Sequence, residues 1–314
     1  MFLVCGEALY DVFTGQASPD GSLSLDAKPG GSPFNVAIGL ARLGSSVGFF
    51  GGLSRDILGE RLLERLQAEG VDTRFVLRND HATTLSLVGA NPDGTPAYTF
   101  YGVNAADRSL TLDDLPNVPA TIKGLHFGSY ALVAEPAADA LFALAEREAG
   151  ARLISLDPNV RPAIEPDMRV WRRRIAAIAE RSDVIKASVE DMAQVWPGDQ
   201  PDAIARRWLA QGAALVIVTL GAQGAIAYTA EHVVPIAAAE TRIVDTVGAG
   251  DAFQAALLNG LRSLDVTSRA HVAAMERGQI EALLGYANCA AAFACARRGA
   301  NLPRAAELGS PPRP

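Results

Sequence analysis

Short apolar runs alternate with longer amphipathic stretches along most of the 314-residue chain. The apolar runs predict strands at 2–5, 47–50, 152–156, 184–187 and 215–219, and the amphipathic stretches predict helices at 33–43, 57–69, 137–149, 202–211, 251–262 and 281–297. The run Leu215–Val218 is apolar at every position, which is typical of a parallel strand covered by helices on both faces. The pattern therefore predicts a layered α/β fold.

Two segments interrupt this alternation. Residues Ala8–Leu25 and Thr83–Tyr101 have strand-like patterns, and Asn91–Gly94 has the composition of a turn between two strands. Extra strands early in an α/β chain predict a small sheet that stands off the main domain. Such a sheet serves either as a lid over a site or as a surface hairpin without a role.

Composition excludes several classes of protein. A net charge of -7 and a pI near 5.2 argue against a nucleic-acid partner, since phosphate backbones require clustered Lys and Arg. The apolar run Leu283–Ala296 is shorter than the roughly 20 residues of a membrane span, and the first residues lack the pattern of a signal peptide. Three cysteines without paired spacing suggest a reducing compartment, so we expect a cytoplasmic protein.

The strongest chemical signal is the segment Asp245–Phe253. It contains Gly248-Ala249-Gly250 immediately before a helical pattern. Glycines at a helix N-terminus let consecutive amides point outward, which makes a site for an anion such as a transferring phosphoryl group. Asp251 beside that site is a candidate base for the proton of an attacking hydroxyl. The alternative is that Asp251 only caps the helix.

These residues resemble a known signature. Gly248–Asp251, preceded by Asp245-Thr246, is similar to the C-terminal signature of the ribokinase-like (pfkB-type) sugar kinases, and Pro29–Ala37 is similar to their other signature. The chain contains no Gly-Lys-Ser or Gly-Lys-Thr phosphate loop and no Gly-x-Gly-x-x-Gly fingerprint, which disfavours phosphate-loop kinases and Rossmann dehydrogenases.

The resemblance runs over roughly residues 2–303 and implies a fold and an activity. The fold would be a three-layer α/β/α domain over 1–314, with a mostly parallel central sheet and a small lid whose strands are inserted at about 8–25 and 83–104. The activity would be transfer of a phosphoryl group from ATP, with Mg²⁺, to a small sugar.

The same resemblance assigns sugar contacts. The implied contacts are Asp11, Gly30, Gly31, Asn35, Phe100, Asn159 and Arg161, while Asp251 and the amides of Gly248, Ala249 and Gly250 carry the chemistry. On residue type alone, Ser32 and Pro33 are good N-cap and N1 residues for the helix that follows. The alternatives are a solvated Asn35 and a surface salt bridge for Arg161.

Nucleotide and metal sites are implied in the second half of the chain. The nucleotide contacts would be Lys186, Thr219, Gly221, Gly224 and Asn288; Asp191 and Glu190 would act on Mg²⁺ through water, and Asp245 with the Val247 carbonyl would hold a monovalent cation such as K⁺. Ser188 and Asp191 also fit a helix capping box, which explains them without a metal.

The sugar is the open question. Relatives that act on acidic keto-sugars often carry a lid arginine where this chain has Gly102, although Arg108 lies nearby. The resemblance therefore favours a neutral sugar, with fructose first; 2-keto-3-deoxygluconate, ribose and nucleosides are alternatives, as is a catalytically silent sugar sensor. Exposed lid edges also predict a homodimer.

Overall fold

A computed structural model describes residues 1–90 and 96–313, so the turn predicted at 91–94 lies outside the described residues. The strands are β1 (Phe2–Cys5), β2 (Leu9–Ala17), β3 (Leu23–Gly30), β4 (Val47–Ser54), β5 (Val76–Asn79), β6 (Leu85–Ala90), β7 (Pro96–Tyr101), β8 (Gly124–Gly128), β9 (Leu153–Asp157), β10 (Val184–Ser188), β11 (Leu215–Thr219), β12 (Ala225–Tyr228) and β13 (Val233–Ile236). The helices are α1 (Ser32–Arg42), α2 (Ile57–Ala68), α3 (Ala137–Glu148), α4 (Met168–Ala179), α5 (Val189–Val195), α6 (Pro201–Gln211), α7 (Ala249–Ser263), α8 (Arg269–Ala273), α9 (Arg277–Cys295) and α10 (Ala305–Leu308).

Within the described residues, nine strands form the central sheet in the order β13-β12-β11-β10-β9-β8-β1-β4-β5. All neighbouring strands from β11 to β5 run parallel, and only β12 and β13 pair antiparallel at one edge. The carboxyl ends of β1, β8, β9, β10 and β11 consequently meet at one edge of the sheet, where parallel α/β folds bind ligands.

Helices cover the sheet on both faces. In β1, Phe2 and Val4 pack into one apolar core with α1, α2, α7 and α9, while Leu3 and Cys5 pack into a second core with α3, α4, α5 and α6. Successive strand residues point to opposite faces, so a strand that is apolar throughout feeds both cores. The predicted layered α/β fold with a mostly parallel sheet is confirmed.

The predicted strands and helices are also confirmed, with ends that differ by a few residues. The largest differences, of four residues, are at β4, which continues to Ser54 rather than ending at residue 50, and at α9, which begins at Arg277 rather than at residue 281. Among the described residues, no helix is both long enough and apolar enough to cross a membrane.

A second sheet of four strands, the small sheet, has the order β3-β2-β6-β7. Its central strands β2 and β6 run parallel, and the two outer strands pair antiparallel to them. The outer strand β3 is exposed along its length up to Gly30, which is buried. The small sheet thus joins the main domain where β3 leads into α1.

Helix α7 is the central helix of one layer and packs closely against α1. A Cβ atom added at Gly39 in α1 would lie 2.7 Å from the Cβ of Ala255 in α7 and 2.5 Å from Leu302 Cδ2. The absence of a side chain at Gly39 therefore sets the separation of the two helices, and with it the separation of their N-terminal turns.

Gly39→Ala is predicted to lower the free energy of unfolding by about 1–3 kcal/mol, because the added methyl overpacks the contact between α1 and α7. Thermal or denaturant unfolding measures the change. Gly278→Ala is the matched control, since a Cβ there meets no atom within 4 Å. Equal stability of the two variants would contradict the assigned role of Gly39.

Candidate active site

A cleft of about 500 Å³ opens where the carboxyl edge of the central sheet faces the small sheet. Three groups of residues line it: Leu9, Asp11, Phe13, Ser86, Val88 and Phe100 from the small sheet; Glu7, Ser129, Tyr130, Asn159, Val160, Arg161, Pro162 and Ala163 from segments after β1, β8 and β9; and Gly31, Ser32, Asn35, Thr246, Val247, Gly248, Gly250 and Asp251 at the starts of α1 and α7. The structure thus brings most of the predicted catalytic and sugar-contact residues together. Ala249 and Gly30 are the members of those two sets that do not line the cleft.

The Asp251 carboxylate is held by two donors from α1. The Ser32 hydroxyl donates to Asp251 Oδ1 at 2.6 Å, and Asn35 Nδ2 donates to Asp251 Oδ2 at 2.8 Å. Gly248 is the N-cap of α7 and no side chain caps that helix, so the alternative that Asp251 is a capping residue is wrong.

The start of α1 also differs from the prediction. Gly31, with φ 101°, is the N-cap, and Pro33 is the second helical residue rather than the first. Ser32 does not cap the helix because its hydroxyl is directed to Asp251. The alternative of a solvated Asn35 is wrong, because its side chain is buried and donates to the same carboxylate.

Burial dominates the electrostatics of Asp251. Burial raises the pKa of its carboxyl above the ordinary value, while the hydrogen bonds from Ser32 and Asn35 and the charges of Lys186 and Arg161 oppose that shift. A carboxylate with a raised pKa is a stronger base than a solvated one. The environment of Asp251 therefore suits proton abstraction from a hydroxyl.

The turn before α7 leaves amides free. Gly248 adopts a left-handed conformation with φ 79°, and a side chain there would lie 2.7 Å from the Cα of Ala300. Ala249 N donates to the Thr246 carbonyl, but the amides of Gly250 and Asp251 donate to no acceptor within residues 1–90 and 96–313. Free amides at a helix N-terminus form an anion site, as the sequence predicts.

Lys186 lies beneath this turn. Its Nζ donates to Asp157 Oδ2 at 2.8 Å in a buried ion pair, and a Cβ added at Gly250 would be 3.3 Å from Nζ. Burial raises the pKa of Asp157 to about 6. Burial disfavours the charged form of Lys186, but the neighbouring carboxylates, with Asp157 first, outweigh it and raise the pKa of Lys186. Lys186 was predicted as a nucleotide contact, and it lies next to the turn that precedes α7.

Like Lys186, the other predicted nucleotide contacts are not among the residues that line the cleft. Thr219 ends β11, and Gly221 begins a short 3-10 turn with open space where a side chain would be. Gly224, with φ 97°, closely approaches the backbone of Ile236 to Ala238, and Asn288 Nδ2 donates to the Ala237 carbonyl at 3.0 Å. Gly224 and Asn288 therefore meet at one segment next to the end of β11.

The sugar-contact candidates, except Gly30, line the cleft. Any side chain at Gly30 would overlap the Asp11 carboxylate, so Gly30 acts by leaving room for Asp11. Burial raises the pKa of the Asp11 carboxyl, opposed by a hydrogen bond from Ser86 and the charge of Arg161. The Phe100 ring packs edge-on against the Tyr130 ring, with the two ring centroids 6.1 Å apart.

Asn159 and Arg161 follow β9. Asn159 has a left-handed φ of 40°, and the Arg161 guanidinium donates to the Val160 carbonyl at 3.0 Å. No salt bridge is formed by Arg161 within the described residues, so the alternative of a surface salt bridge is wrong. Arg161 is exposed at the cleft and is available to an anion.

The predicted Mg²⁺ residues have protein partners. Asp191 Oδ1 accepts from the Val160 amide at 2.8 Å, the Ser188 hydroxyl accepts from the Asp191 amide, and Glu190 is exposed. Ser188 thus caps α5, but the reciprocal half of a capping box is absent because the Asp191 carboxylate bonds elsewhere. Within the described residues, no group of three or more His, Cys, Asp or Glu side chains can hold a metal ion.

The residues nonetheless fit an Mg²⁺ ion that keeps most of its waters and binds phosphate oxygens, as Mg²⁺ usually does. Asp157 Oδ1 is buried and has no hydrogen-bond partner within the part of the chain that the structure describes. For the monovalent cation, Asp245 accepts from the amides of Val247 and Gly299, which brings the predicted residues and the loop near Ala300 together.

Glu7 lines the cleft but was not among the predicted site residues. It lies two positions after the end of β1, is 1% exposed, and receives long hydrogen bonds from the amides of Ser32 (3.3 Å) and Ala131 (3.4 Å). Burial raises the pKa of Glu7 to about 7. An acidic residue just beyond the end of a buried parallel strand, two positions after Cys5, was the signal that could have identified it. Ser32 and Ser129 were missed because a lone serine carries no such signal.

Comparison with known proteins gives a family and close structural neighbours. A family model described as pfkB family carbohydrate kinase matches residues 4–306. A fructokinase of Rhizobium leguminosarum bv. trifolii is 38% identical over 276 residues, which cover 88% of this chain and 84% of that protein.

Two solved structures share the fold over nearly the whole chain. Fructokinase from Xylella fastidiosa with bound ATP matches with a TM-score of 0.89 and 27% identity, covering 98% of this chain and 96% of that one. Fructokinase from Vibrio cholerae O395 with fructose, ADP and calcium ion bound matches with a TM-score of 0.83 and 28% identity, covering 98% of this chain and 97% of that one.

Lys186→Met is predicted to lower the free energy of unfolding by about 3–5 kcal/mol, because it leaves the buried Asp157 carboxylate without its cation. Denaturant unfolding measures the loss. The double variant Lys186→Met with Asp157→Asn should recover part of the stability, and Lys123→Met, at an exposed lysine, should change it little. A single variant as stable as the wild type would show that the pair is not a buried ionic contact.

Proposed function

The chain belongs to the pfkB family of carbohydrate kinases and is an ATP-dependent sugar kinase, and we propose that it is a fructokinase that converts fructose to fructose 6-phosphate. The observation that carries the proposal is the Asp251 carboxylate, held by Ser32 and Asn35 beside the free amides of Gly250. A base and an anion site lie side by side in the cleft, as transfer of a phosphoryl group to a hydroxyl requires.

The charge of the cleft supports a neutral sugar. Among the described residues that line it, Arg161 is the only cation, whereas Glu7, Asp11 and Asp251 are acidic. An acidic sugar would meet the carboxylates of Asp11 and Asp251, and Arg161 is needed for the phosphate. The relatives named above are fructokinases, and one was solved with fructose bound.

The surroundings of Gly102 also support a neutral sugar. A Cβ atom at Gly102 would lie 2.9 Å from Arg108 Nη2, so the Arg108 side chain occupies the space over that glycine. The Arg108 guanidinium packs over the Tyr130 ring at 5.2 Å and does not line the cleft. Arg108 therefore does not supply the cation that an acidic keto-sugar would need.

In the proposed reaction, Asp11, Asn35 and Asn159 orient the sugar so that its primary hydroxyl faces Asp251. The hydroxyl oxygen attacks the γ-phosphorus of ATP as its proton passes to the Asp251 carboxylate, and the bond to the β-phosphate oxygen breaks to release ADP. The amides of Gly250 and Asp251, with the Arg161 guanidinium, stabilise the charge on the transferring group.

Mg²⁺, when bound, would neutralise phosphate charge, and Asp157 with Asp191 would orient its waters. We further propose that Thr219, Gly221, Gly224 and Asn288 hold the rest of the nucleotide. Asp245 and the Val247 carbonyl are the proposed site for K⁺.

We propose that residues 1–314 form one kinase domain and that the small sheet is its lid. Asp11 on β2, Ser86 on β6 and Phe100 on β7 all face the cleft. Closure of this sheet over the sugar would exclude water, which otherwise competes for the γ-phosphate.

A homodimer through the lid is part of the proposal. Leu23 and Leu25 on β3 and Tyr101 at the end of β7 are each more than half exposed. Apolar side chains on an outer strand with free backbone groups favour pairing with a second copy.

Sedimentation at micromolar concentration is predicted to give a dimer. Leu23→Lys with Leu25→Lys should shift the protein toward monomer, because charges block the apolar contact, whereas Leu112→Lys, at an exposed leucine outside the small sheet, should leave the dimer intact. A single monomeric species for the wild type would refute the dimer.

The sugar is tested by ADP release with ATP and Mg²⁺ against fructose, ribose, adenosine and 2-keto-3-deoxygluconate. We expect turnover with fructose to exceed that with the other three, because the cleft is acidic and lacks a second cation. Preference for 2-keto-3-deoxygluconate would overturn the argument from Gly102 and Arg108. Preference for ribose or adenosine would keep the kinase and discard fructose.

Asp251→Asn is predicted to lower kcat by about 10²–10⁴-fold while fructose affinity stays within a few-fold, because the amide keeps the shape of the side chain but cannot accept the proton. Steady-state kinetics and calorimetric titration with fructose give the two quantities. Asp113→Asn, at an exposed aspartate, is the matched control. A kcat near that of the control would remove Asp251 as the base.

A further inference from the structure

Ser32 has one hydroxyl proton, and it is directed to the carboxylate that carries the proposed chemistry. The Ser32 Oγ to Asp251 Oδ1 distance is 2.6 Å, and both residues are less than 10% exposed. We propose that Ser32 is a positioning residue that fixes the orientation and the basicity of Asp251. This inference rests on the proposed function, in which Asp251 is the base.

The backbone on both sides of Ser32 aims its side chain. Gly31 has φ 101°, and a Cβ there would be 2.9 Å from the Glu7 carbonyl, so the chain passes closely over the segment that links β1 to β2. Pro33 follows with its fixed φ. The Ser32 amide donates to Glu7 Oε1 at 3.3 Å. These constraints hold the hydroxyl toward Asp251 independently of the sugar.

The two donors on Asp251 have different roles in this account. Asn35 is also a proposed sugar contact, so its amide has a second partner when the sugar binds. The Ser32 hydroxyl donates to Asp251 alone among the described residues. Ser32 is thus the donor that stays on the carboxylate while the sugar hydroxyl approaches the other side.

Charged groups from four elements face Asp251. Lys186 on β10 and Arg161 after β9 favour the ionised carboxylate. Asp157 on β9 and Asp11 on β2 are close enough that the charge of Asp251 raises their pKa values, and by reciprocity they disfavour its ionised form. Burial adds to that cost, and the Ser32 hydrogen bond opposes it.

The Ser32 hydrogen bond lowers the pKa of Asp251 relative to the same carboxyl without it. A hydrogen bond donated to an ionised carboxylate stabilises that form relative to the protonated one. Without the Ser32 donor, the pKa of Asp251 rises and the carboxylate is protonated at a higher pH. The acidic limb of the profile of kcat/KM against pH therefore moves to higher pH.

Ser32→Ala tests the inference. We expect the acidic limb to move up by about one pH unit and kcat at neutral pH to fall about tenfold, with KM for fructose changed less than threefold. Ser32→Thr keeps the hydroxyl and should retain the wild-type limb. Ser182→Ala removes a buried hydroxyl that donates only to the Ile178 carbonyl, and it should change neither quantity. The melting temperature of each variant is measured alongside.

The outcomes separate the inference from the function on which it rests. An unmoved limb in Ser32→Ala, with Asp251→Asn inactive, overturns the role of Ser32 and keeps Asp251 as the base. A lower kcat with an unmoved limb and a lowered melting temperature reduces Ser32 to a structural residue. If Ser32→Ala does not fold, Ser32→Cys, which is similar in size but a weak donor, must move the limb in the same direction.

Discussion

The close packing of helix α1 against helix α7 is the constraint on which the rest of the site depends. Gly39 and Ala255 let the two helices approach, and their N-terminal turns then lie side by side. Ser32 and Asn35 consequently reach Asp251, although they are 219 and 216 positions away along the chain. A small apolar contact between helices thus determines the position of Asp251, the proposed base.

The buried charges around α7 are best understood as prearranged electrostatics. An ion pair such as Lys186 with Asp157 adds little stability compared with apolar packing of the same volume, because both charges lose water. The pair lies under the turn at Gly250, where its fixed charges need not reorganise when a phosphoryl group is transferred. The buried ion pair therefore contributes fixed charges at the site rather than stability of the fold.

The sequence predicted the elements whose signals are local. The apolar run at Leu215–Val218 and the glycines at Gly248 and Gly250 act on their own backbone, so the strand, the turn and the start of α7 follow from nearby residues. The contact between Ser32 and Asp251 does not, because it depends on how two helices pack. The N-cap of α1 was missed for the same reason: the hydroxyl that suits a cap has a distant partner. The partner of Lys186 likewise depends on strand order.

The central claim is that a fructose hydroxyl meets Asp251 beside a phosphate held by the amides of Gly250 and Asp251. A crystal structure with fructose and a non-hydrolysable ATP analogue measures this geometry directly. The account predicts the C6 hydroxyl oxygen within about 3.2 Å of an Asp251 carboxylate oxygen, with γ-phosphate oxygens in hydrogen-bond contact with those amides. Fructose bound with its C6 hydroxyl turned away from Asp251, or a γ-phosphate held elsewhere, would contradict it.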